Sequence, residues 1–223
     1  MLQHIVKIKS IILITHDVLK IVTEKPLNYN FIPGQATLIC LNKTSWRAKK
    51  RPFTFTSLPG DNYLEFTIKT YPEHKGVTNE LLSLGKNDEL IIHEVFGTIS
   101  YKREGIFIAG GAGITPFISI FRDLKIKNKM GNNKLIFANK TKTDIILELE
   151  FKKLLGKNFI NILSRQELKG YAYGKISKEF IKKNSYGTNI HFYLCGPPAM
   201  MIEIEQQLMN LKINKKLITK EIF

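Results

Sequence analysis

Cysteine is scarce in this chain: only Cys40 and Cys195 occur in 223 residues, far apart in sequence. An iron-sulfur cluster or a structural zinc takes several ligands at close spacing, so two distant thiols cannot hold one alone. The five histidines are scattered and none is paired at ligand spacing, so no metal site is expected. Long apolar runs are also missing, and no stretch approaches the roughly 20 residues that span a bilayer. The opening Met-Leu-Gln-His-Ile-Val-Lys alternates like a strand and has no signal-peptide core or cleavage site. A cytoplasmic protein without membrane insertion is therefore expected. Acidic residues are few, 19 against 34 Lys and Arg, for a net charge of +15. That excess suits an acidic protein partner. There is no basic low-complexity tail and no motif of basic residues interleaved with aromatics, so nucleic acid is not the expected partner. Lysine, asparagine and isoleucine are abundant throughout, which makes part of the charge a matter of overall composition.

What is present is ordinary globular material, 43% hydrophobic and long enough for one large domain or two of roughly 100 residues. The chain centres on Ile106-Phe-Ile-Ala-Gly-Gly-Ala-Gly-Ile-Thr-Pro116. Ile106 to Ala109 is a short apolar run of strand length, and Gly110, Gly111 and Gly113 allow a sharp turn with exposed N–H groups. Thr115 and Pro116 are an N-cap and a first helical residue, and Phe117, Ile118, Ile120, Phe121 and Leu124 give the helix its apolar face. Strand, glycine turn and helix N-terminus in that order make an anion site. Pro116 stands where the dinucleotide fingerprint has its third glycine, which points to a related but distinct nucleotide module. Alone, the same residues also fit a plain strand-to-helix turn.

From residue 5 to about 95 the sequence is a series of short strand-like runs: Ile5 to Ile14, Leu19 to Thr23, Ala36 to Leu41, Phe53 to Leu58, Leu64 to Tyr71 and Glu89 to Val95. Breaks fall at Pro33-Gly34, at Pro59-Gly60-Asp61-Asn62 and from Gly85 to Asp88, and one short helix fits Thr78 to Leu84. Six short strands without long helices predict an antiparallel six-stranded β-barrel. Within it, Arg51-Pro52-Phe53-Thr54-Phe55-Thr56-Ser57 joins a cation, an aromatic and hydroxyls, and an arginine fork suits phosphate. Gly76-Val77-Thr78 places a glycine turn and a hydroxyl at a helix start, a second place for phosphate. Each segment by itself also fits a bland alternative, an exposed arginine before a half-buried strand and a plain capped helix.

After residue 105 strands and helices alternate. Ile106 to Ala109, Lys134 to Ala138, Phe159 to Leu163, His191 to Leu194 and Lys216 to Lys220 read as strands, with helices near 116–127, 144–155, 177–184 and 198–210. Right-handed crossovers then give an α/β doubly wound parallel sheet with ligands at the carboxyl ends of its strands. Tyr101 to Glu104 is the expected boundary, giving domains 1–101 and 105–223. Gly111 and Gly113, Asn139 and Lys140, Ser164 and Arg165, and Cys195-Gly196-Pro197-Pro198-Ala199-Met200 each follow a strand. That shared placement is what sets the glycine turn apart.

Arg-x-aromatic-Thr, Gly-x-Thr, Gly-Gly-x-Gly-x-Thr-Pro, Cys-Gly-Pro-x-x-Met and a carboxylate-aromatic ending, in this order, resemble the ferredoxin-NADP reductase superfamily, above all its compact bacterial flavodoxin/ferredoxin reductases. The resemblance covers essentially the whole chain. It implies a two-domain flavoprotein oxidoreductase: a barrel that binds FAD, then a domain that binds NADP, with NAD possible. Within the Arg51-Pro52-Phe53-Thr54-Phe55-Thr56-Ser57 run, Arg51 would pair with the flavin pyrophosphate, Phe53 would lie on the ring system and Thr54 would bond near N5. Phe53 and Thr54 stand where the family more often has Tyr and Ser. Ile68 and Lys69 would line the flavin edge, Tyr71 would approach the ribityl or adenine part, and Gly76, Val77 and Thr78 would complete the pyrophosphate site. Gly111, Gly113, Thr115 and Pro116 would surround the nicotinamide dinucleotide's pyrophosphate, and Cys195, Gly196, Pro197 and Met200 would border its nicotinamide. Ser164 and Arg165 resemble a Ser-Arg grip on the 2′-phosphate of NADP, with Lys169 and Tyr171 nearby. Glu221 and Phe223 resemble the family ending, in which a terminal aromatic covers the flavin. The implied partner is an acidic flavodoxin or ferredoxin. Rival readings are a free-flavin reductase of the same fold, an electron-transfer subunit of a larger dehydrogenase or oxygenase, and a basic nucleic-acid-binding barrel.

Overall fold

The computed structural model describes residues 3–185 and 189–221. They group into two units, 3–100 with 115–123, and 101–114 with the described residues from 124 to 221.

The first unit is a six-stranded antiparallel sheet. Its strands are β1 (His4–Thr15), β2 (Val18–Glu24), β3 (Ala36–Leu41), β4 (Arg51–Thr54), β5 (Tyr63–Lys69) and, after the short helix α1 (Val77–Glu80), β6 (Glu89–Phe96). The order is β4-β3-β6-β1-β2-β5. The two edges are drawn together just past β4, where Phe55 bridges Phe66 of β5 and the Thr56 N–H donates to the Glu65 carbonyl at 2.8 Å. That seam ends β4 at Thr54, whereas the sequence expectation ran the strand on to Leu58. Val6, Ile8, Ile21, Ile39, Phe55 and Phe66 fill the interior, and Phe31 stacks on Phe55 with ring centroids 4.2 Å apart.

Strand β5 departs from its sequence pattern. Leu64-Glu65-Phe66-Thr67-Ile68 alternates apolar with polar, which predicts one solvated face, yet Glu65 and Thr67 are buried. Their hydrogen bonds explain it. Glu65 accepts from the Thr56 hydroxyl at 2.9 Å, and the Thr67 hydroxyl lies 3.4 Å from that same hydroxyl, so the polar face is covered and its groups are paired inside.

The second unit is built on a parallel sheet. In chain order its elements are β7 (Gly105–Gly110), α2 (Thr115–Ile126, whose residues 115–123 group with the first unit), β8 (Lys134–Asn139), α3 (Glu148–Leu155), β9 (Phe159–Leu163), β10 (Ala172–Tyr173), α4 (Lys178–Asn184), β11 (His191–Cys195), α5 (Pro198–Asn210) and β12 (Ile218–Lys220). The strand order β10-β9-β8-β7-β11-β12 reverses direction beside β7, which is where open α/β sheets place ligands. Strands β7 and β11 are buried along their whole length, as expected where helices cover both faces. Tyr193 stacks on Phe107 at 4.2 Å, and its hydroxyl accepts the Lys102 and Arg103 N–H groups at 2.8 and 3.0 Å while donating to the Arg103 carbonyl.

Three local details differ from the sequence expectation. A 3-10 turn, Gly111–Ile114, feeds α2 directly, so Thr115 is its first residue and not a cap outside it. Helix α3 starts at Glu148 because Asp144 closes a turn instead: its carboxylate takes the Thr141 N–H at 2.8 Å and hydroxyl at 2.6 Å. The two-residue strand β10 is too short to leave a periodicity. Among the described residues no helix is long and apolar enough to cross a membrane.

Candidate functional site

In the first unit, β4 carries the arginine-aromatic-threonine run with Arg51 exposed, Phe53 half-buried against the unit's hydrophobic core and Thr54 buried. The Arg51 guanidinium donates to the Lys50 carbonyl at 2.8 Å, a surface bond that a phosphate can replace. Ser57 is buried and its hydroxyl accepts the Glu65 N–H at 3.0 Å, which ties it to β5. The Ile68 side chain is taken up by the hydrophobic core of the first unit, which leaves its backbone for any edge role, and the Lys69 ammonium pairs with the Asp17 carboxylate. Tyr71 is exposed and stacks on His74, centroids 5.6 Å apart.

The glycine turn before α1 is capped differently from the expectation. Gly76 is the N-cap, without a side-chain cap bond, and its carbonyl accepts the Asn79 and Glu80 N–H groups at 3.1 Å each. Thr78 therefore sits within the first turn, while Val77 is buried and anchors it.

In the second unit the loops after β7 and β11 are in backbone contact. A Cβ on Gly113 would stand 2.2 Å from the Cys195 carbonyl oxygen, one on Gly110 2.4 Å from the Met200 sulfur, and one on Gly196 3.2 Å from the Gly110 nitrogen. At Gly113, where the clash is with backbone, glycine is thus required for the loops to meet, and of these four glycines Gly111, at φ +50° with open space where a methyl would stand, is the one that uses glycine for its conformation. Thr115 and Pro116, both buried, open α2 immediately after this turn. Beside it, at the end of β8, the Asn139 side-chain amide is buried with neither its nitrogen nor its oxygen hydrogen-bonded within the chain. Such a group costs free energy unless it meets a partner. The glycine turn itself, with N–H groups unobstructed by side chains and a helix start directly behind it, fits the pyrophosphate of a dinucleotide.

Ser164 and Arg165 follow β9 with exposed side chains, while their N–H groups donate to the Asn139 and Lys140 carbonyls at 2.9 Å each. Lys169 and Tyr171 line a cleft of about 460 Å³ with Lys152, Phe159 and Asn161, and neither Ser164 nor Arg165 lines it. Tyr171 donates to the Glu148 carboxylate and receives a 3.5 Å contact from the Lys152 ammonium. Burial, reinforced by Glu148, raises the Tyr171 phenol. For Glu148, burial works upward but hydrogen bonds from Lys152 and Tyr171 leave its carboxyl below the usual range.

Cys195 ends β11, only 3% exposed. Burial pushes its thiol up to about 12 and the Glu221 carboxylate adds to the rise, so at neutral pH it is a thiol and no nucleophile. Pro197 caps α5, whose first turn includes the half-buried Met200. Glu221 is buried, its N–H directed at the Leu194 carbonyl at 3.4 Å. Phe223 lies outside the described residues.

Two features were missed from sequence. One is the Asn139 amide, noted there only as a strand end. The other is a set of bonds from α2: Arg122 donates to the Thr56 carbonyl at 2.8 Å and the Glu65 carboxylate at 2.6 Å, and the Ser119 hydroxyl accepts the Gly34 N–H at 3.1 Å. In sequence, Ser119 and Arg122 look like the polar side of an amphipathic helix, and no spacing marks their partners.

The family model described as an FAD-binding domain matches residues 3–148, and that described as an oxidoreductase NAD-binding domain matches 107–206. NADH-cytochrome b5 reductase 2 of Mycosarcoma maydis is 30% identical over 167 residues, 68% of this chain and 47% of that protein. The 2-halobenzoate 1,2-dioxygenase electron transfer component of Burkholderia cepacia is 22% identical over 195 residues, 83% of this chain and 56% of that protein. The chain thus spans about half the length of these curated relatives. A ferredoxin NADP+ reductase from Neisseria gonorrhoeae with bound FAD and NADP superposes with a TM-score of 0.84 over 98% of both chains at 18% identity, a likeness of fold.

Proposed function

Because the chain belongs to the ferredoxin-NADP reductase superfamily, flavoproteins that join an FAD-binding domain to an oxidoreductase NAD-binding domain, we propose that it takes a hydride from NADPH onto FAD and delivers the two electrons singly to a small carrier protein. The observation that carries the reading is the convergence at one end of the parallel sheet. The glycine turn, the unpartnered Asn139 amide, Ser164-Arg165 and Cys195-Gly196 all follow its strands around the point where strand order reverses.

The first domain, 1–101, holds FAD. Arg51 and the Gly76-Val77-Thr78 turn bind its pyrophosphate, Phe53 offers a flat apolar face, the Thr54 hydroxyl orients the reacting edge, and Lys69 and Tyr71 border the rest. The second domain, 105–223, holds the nicotinamide dinucleotide. Gly111, Gly113, Thr115 and Pro116 receive its pyrophosphate, since bare N–H groups and a helix start favour negative charge. Cys195, Gly196, Pro197 and Met200 border the nicotinamide, where the neutral thiol is a small wall that keeps water out. When bound, the flavin supplies a hydride acceptor that can be discharged one electron at a time, chemistry no side chain here provides. The protein's part is alignment. The net charge of +15 favours an acidic carrier, approached under electrostatic attraction.

Arg165 decides between nicotinamides. An arginine fork suits a 2′-phosphate, whereas curated relatives are named for NADH. The experiment is an absorption spectrum of the purified protein followed by titration with NADPH and NADH. A yellow protein that keeps FAD through gel filtration and is bleached by NADPH is expected, and a colourless one would overturn the proposal. Arg165→Glu should raise the Michaelis constant for NADPH by at least tenfold and leave that for NADH nearly unchanged; equal effects would remove the case for NADP.

A further inference from the structure

Arg122 and Glu65 form an ion pair at 2.6 Å with most of both side chains withdrawn from water. A buried pair of this kind contributes little net stability, because removing two charges from water offsets their attraction. Its geometry is therefore more informative than its strength. One Arg122 nitrogen donates both to the Glu65 carboxylate and, at 2.8 Å, to the Thr56 carbonyl. The same Glu65 oxygen accepts the Thr56 hydroxyl at 2.9 Å, and the Glu65 N–H donates to Ser57 at 3.0 Å. Thr56 and Ser57 are thus held by three side-chain bonds at the seam where the barrel edges meet, two residues beyond Thr54. Helix α2, which carries Arg122, begins at Thr115, where the glycine turn ends.

We infer that Arg122 and Glu65 are positioning residues for hydride transfer: through Thr56 and Ser57 they fix where the Thr54 hydroxyl stands. Neither touches a cofactor. The inference rests on the proposed role of Thr54. A reacting centre displaced by a fraction of an ångström reacts more slowly even when every ligand is bound, so the pair governs rate and not affinity. Ser119 packs the same helix on the barrel through Gly34, without a bond to the 54–57 segment, and provides the contrast.

The test compares Glu65→Gln, Arg122→Lys, the double variant Arg122→Met with Glu65→Gln, which leaves no lone buried charge, Ser119→Ala and Thr54→Ala. FAD content, melting temperature, NADPH affinity, the visible circular dichroism of bound flavin and the stopped-flow bleaching rate at saturating NADPH are measured on each. The double variant should keep FAD and bind NADPH within twofold of the parent, show an altered flavin dichroism and bleach at least tenfold more slowly. Arg122→Lys should recover part of the rate, and Ser119→Ala should melt earlier with parental dichroism and rate. Should the double variant fail to hold FAD, Glu65→Gln decides, with a smaller slowing expected. Parental bleaching and dichroism in the double variant, or in Glu65→Gln where that decides, overturn the inference. A slow Thr54→Ala beside such a result leaves the functional reading standing, whereas a Thr54→Ala as fast as the parent removes the premise itself.

Discussion

At Cys195 burial and the neighbouring Glu221 carboxylate raise the thiol to about 12, so it is uncharged at neutral pH. Cys195→Ala removes one sulfur from a buried strand end without a new charge. It should leave FAD bound and slow single-turnover flavin reduction about tenfold through looser alignment; an unchanged rate would take the residue out of the site. The residue Asn139 illustrates how far sequence carries. Its place at a strand end was legible, because strand ends can be counted from apolar runs. Its unpaired amide was not, because satisfaction of a buried polar group depends on every neighbour in space.

Among elements, the loops after β7 and β11 yield the sharpest contrast between two glycines two positions apart. Gly111 has φ +50° and open space around it, so Gly111→Ala should cost about 1 kcal/mol of backbone strain and disturb the fold less than a methyl at Gly113 does. Gly113→Ala drives a methyl to 2.2 Å from the Cys195 carbonyl oxygen. That overpacking should cost about 2–3 kcal/mol and weaken NADP+ binding at least tenfold, read by thermal unfolding and by titration. Equal losses in both variants would mean that the loops yield freely. Both glycines were equally visible as residues, but their different reasons were not, since one is local and the other depends on β11, more than 80 residues on. The same distinction explains the rest. The strands and helices were legible because apolar spacing is local; Glu65 and Thr67 inside β5, and the turn closed by Asp144, were not, because a covering hydrogen bond overrides the polarity pattern.

Across the whole molecule, buried titratable groups bound the pH range of stability. Burial lowers His93 and His191 below 6.5, with nearby Lys50 acting on the first and Arg103 and Lys102 on the second. Well above 6.5 both are neutral whether the chain is folded or not; as pH falls toward and through 6.5 the unfolded chain takes up protons first, and stability declines. On the alkaline side, an unfolded Cys195 ionises near 9.0 while the folded thiol waits until about 12. Stability should fall there as pH rises, because the unfolded chain releases the proton first. Melting temperatures should therefore plateau between about 6.5 and 9.0 and drop on either side, and a protein still gaining stability below pH 6 would contradict the assignment.

Tyr193, buried in the sheet, holds two successive amides and a carbonyl at Lys102 and Arg103. A protease that cuts after basic residues needs a loose, extended stretch of backbone, and here the most tempting basic dipeptide between β6 and β7 is clamped by a phenol. Trypsin should spare that bond in the native protein, and Tyr193→Phe, which deletes only the clamp's oxygen, should expose it to cleavage.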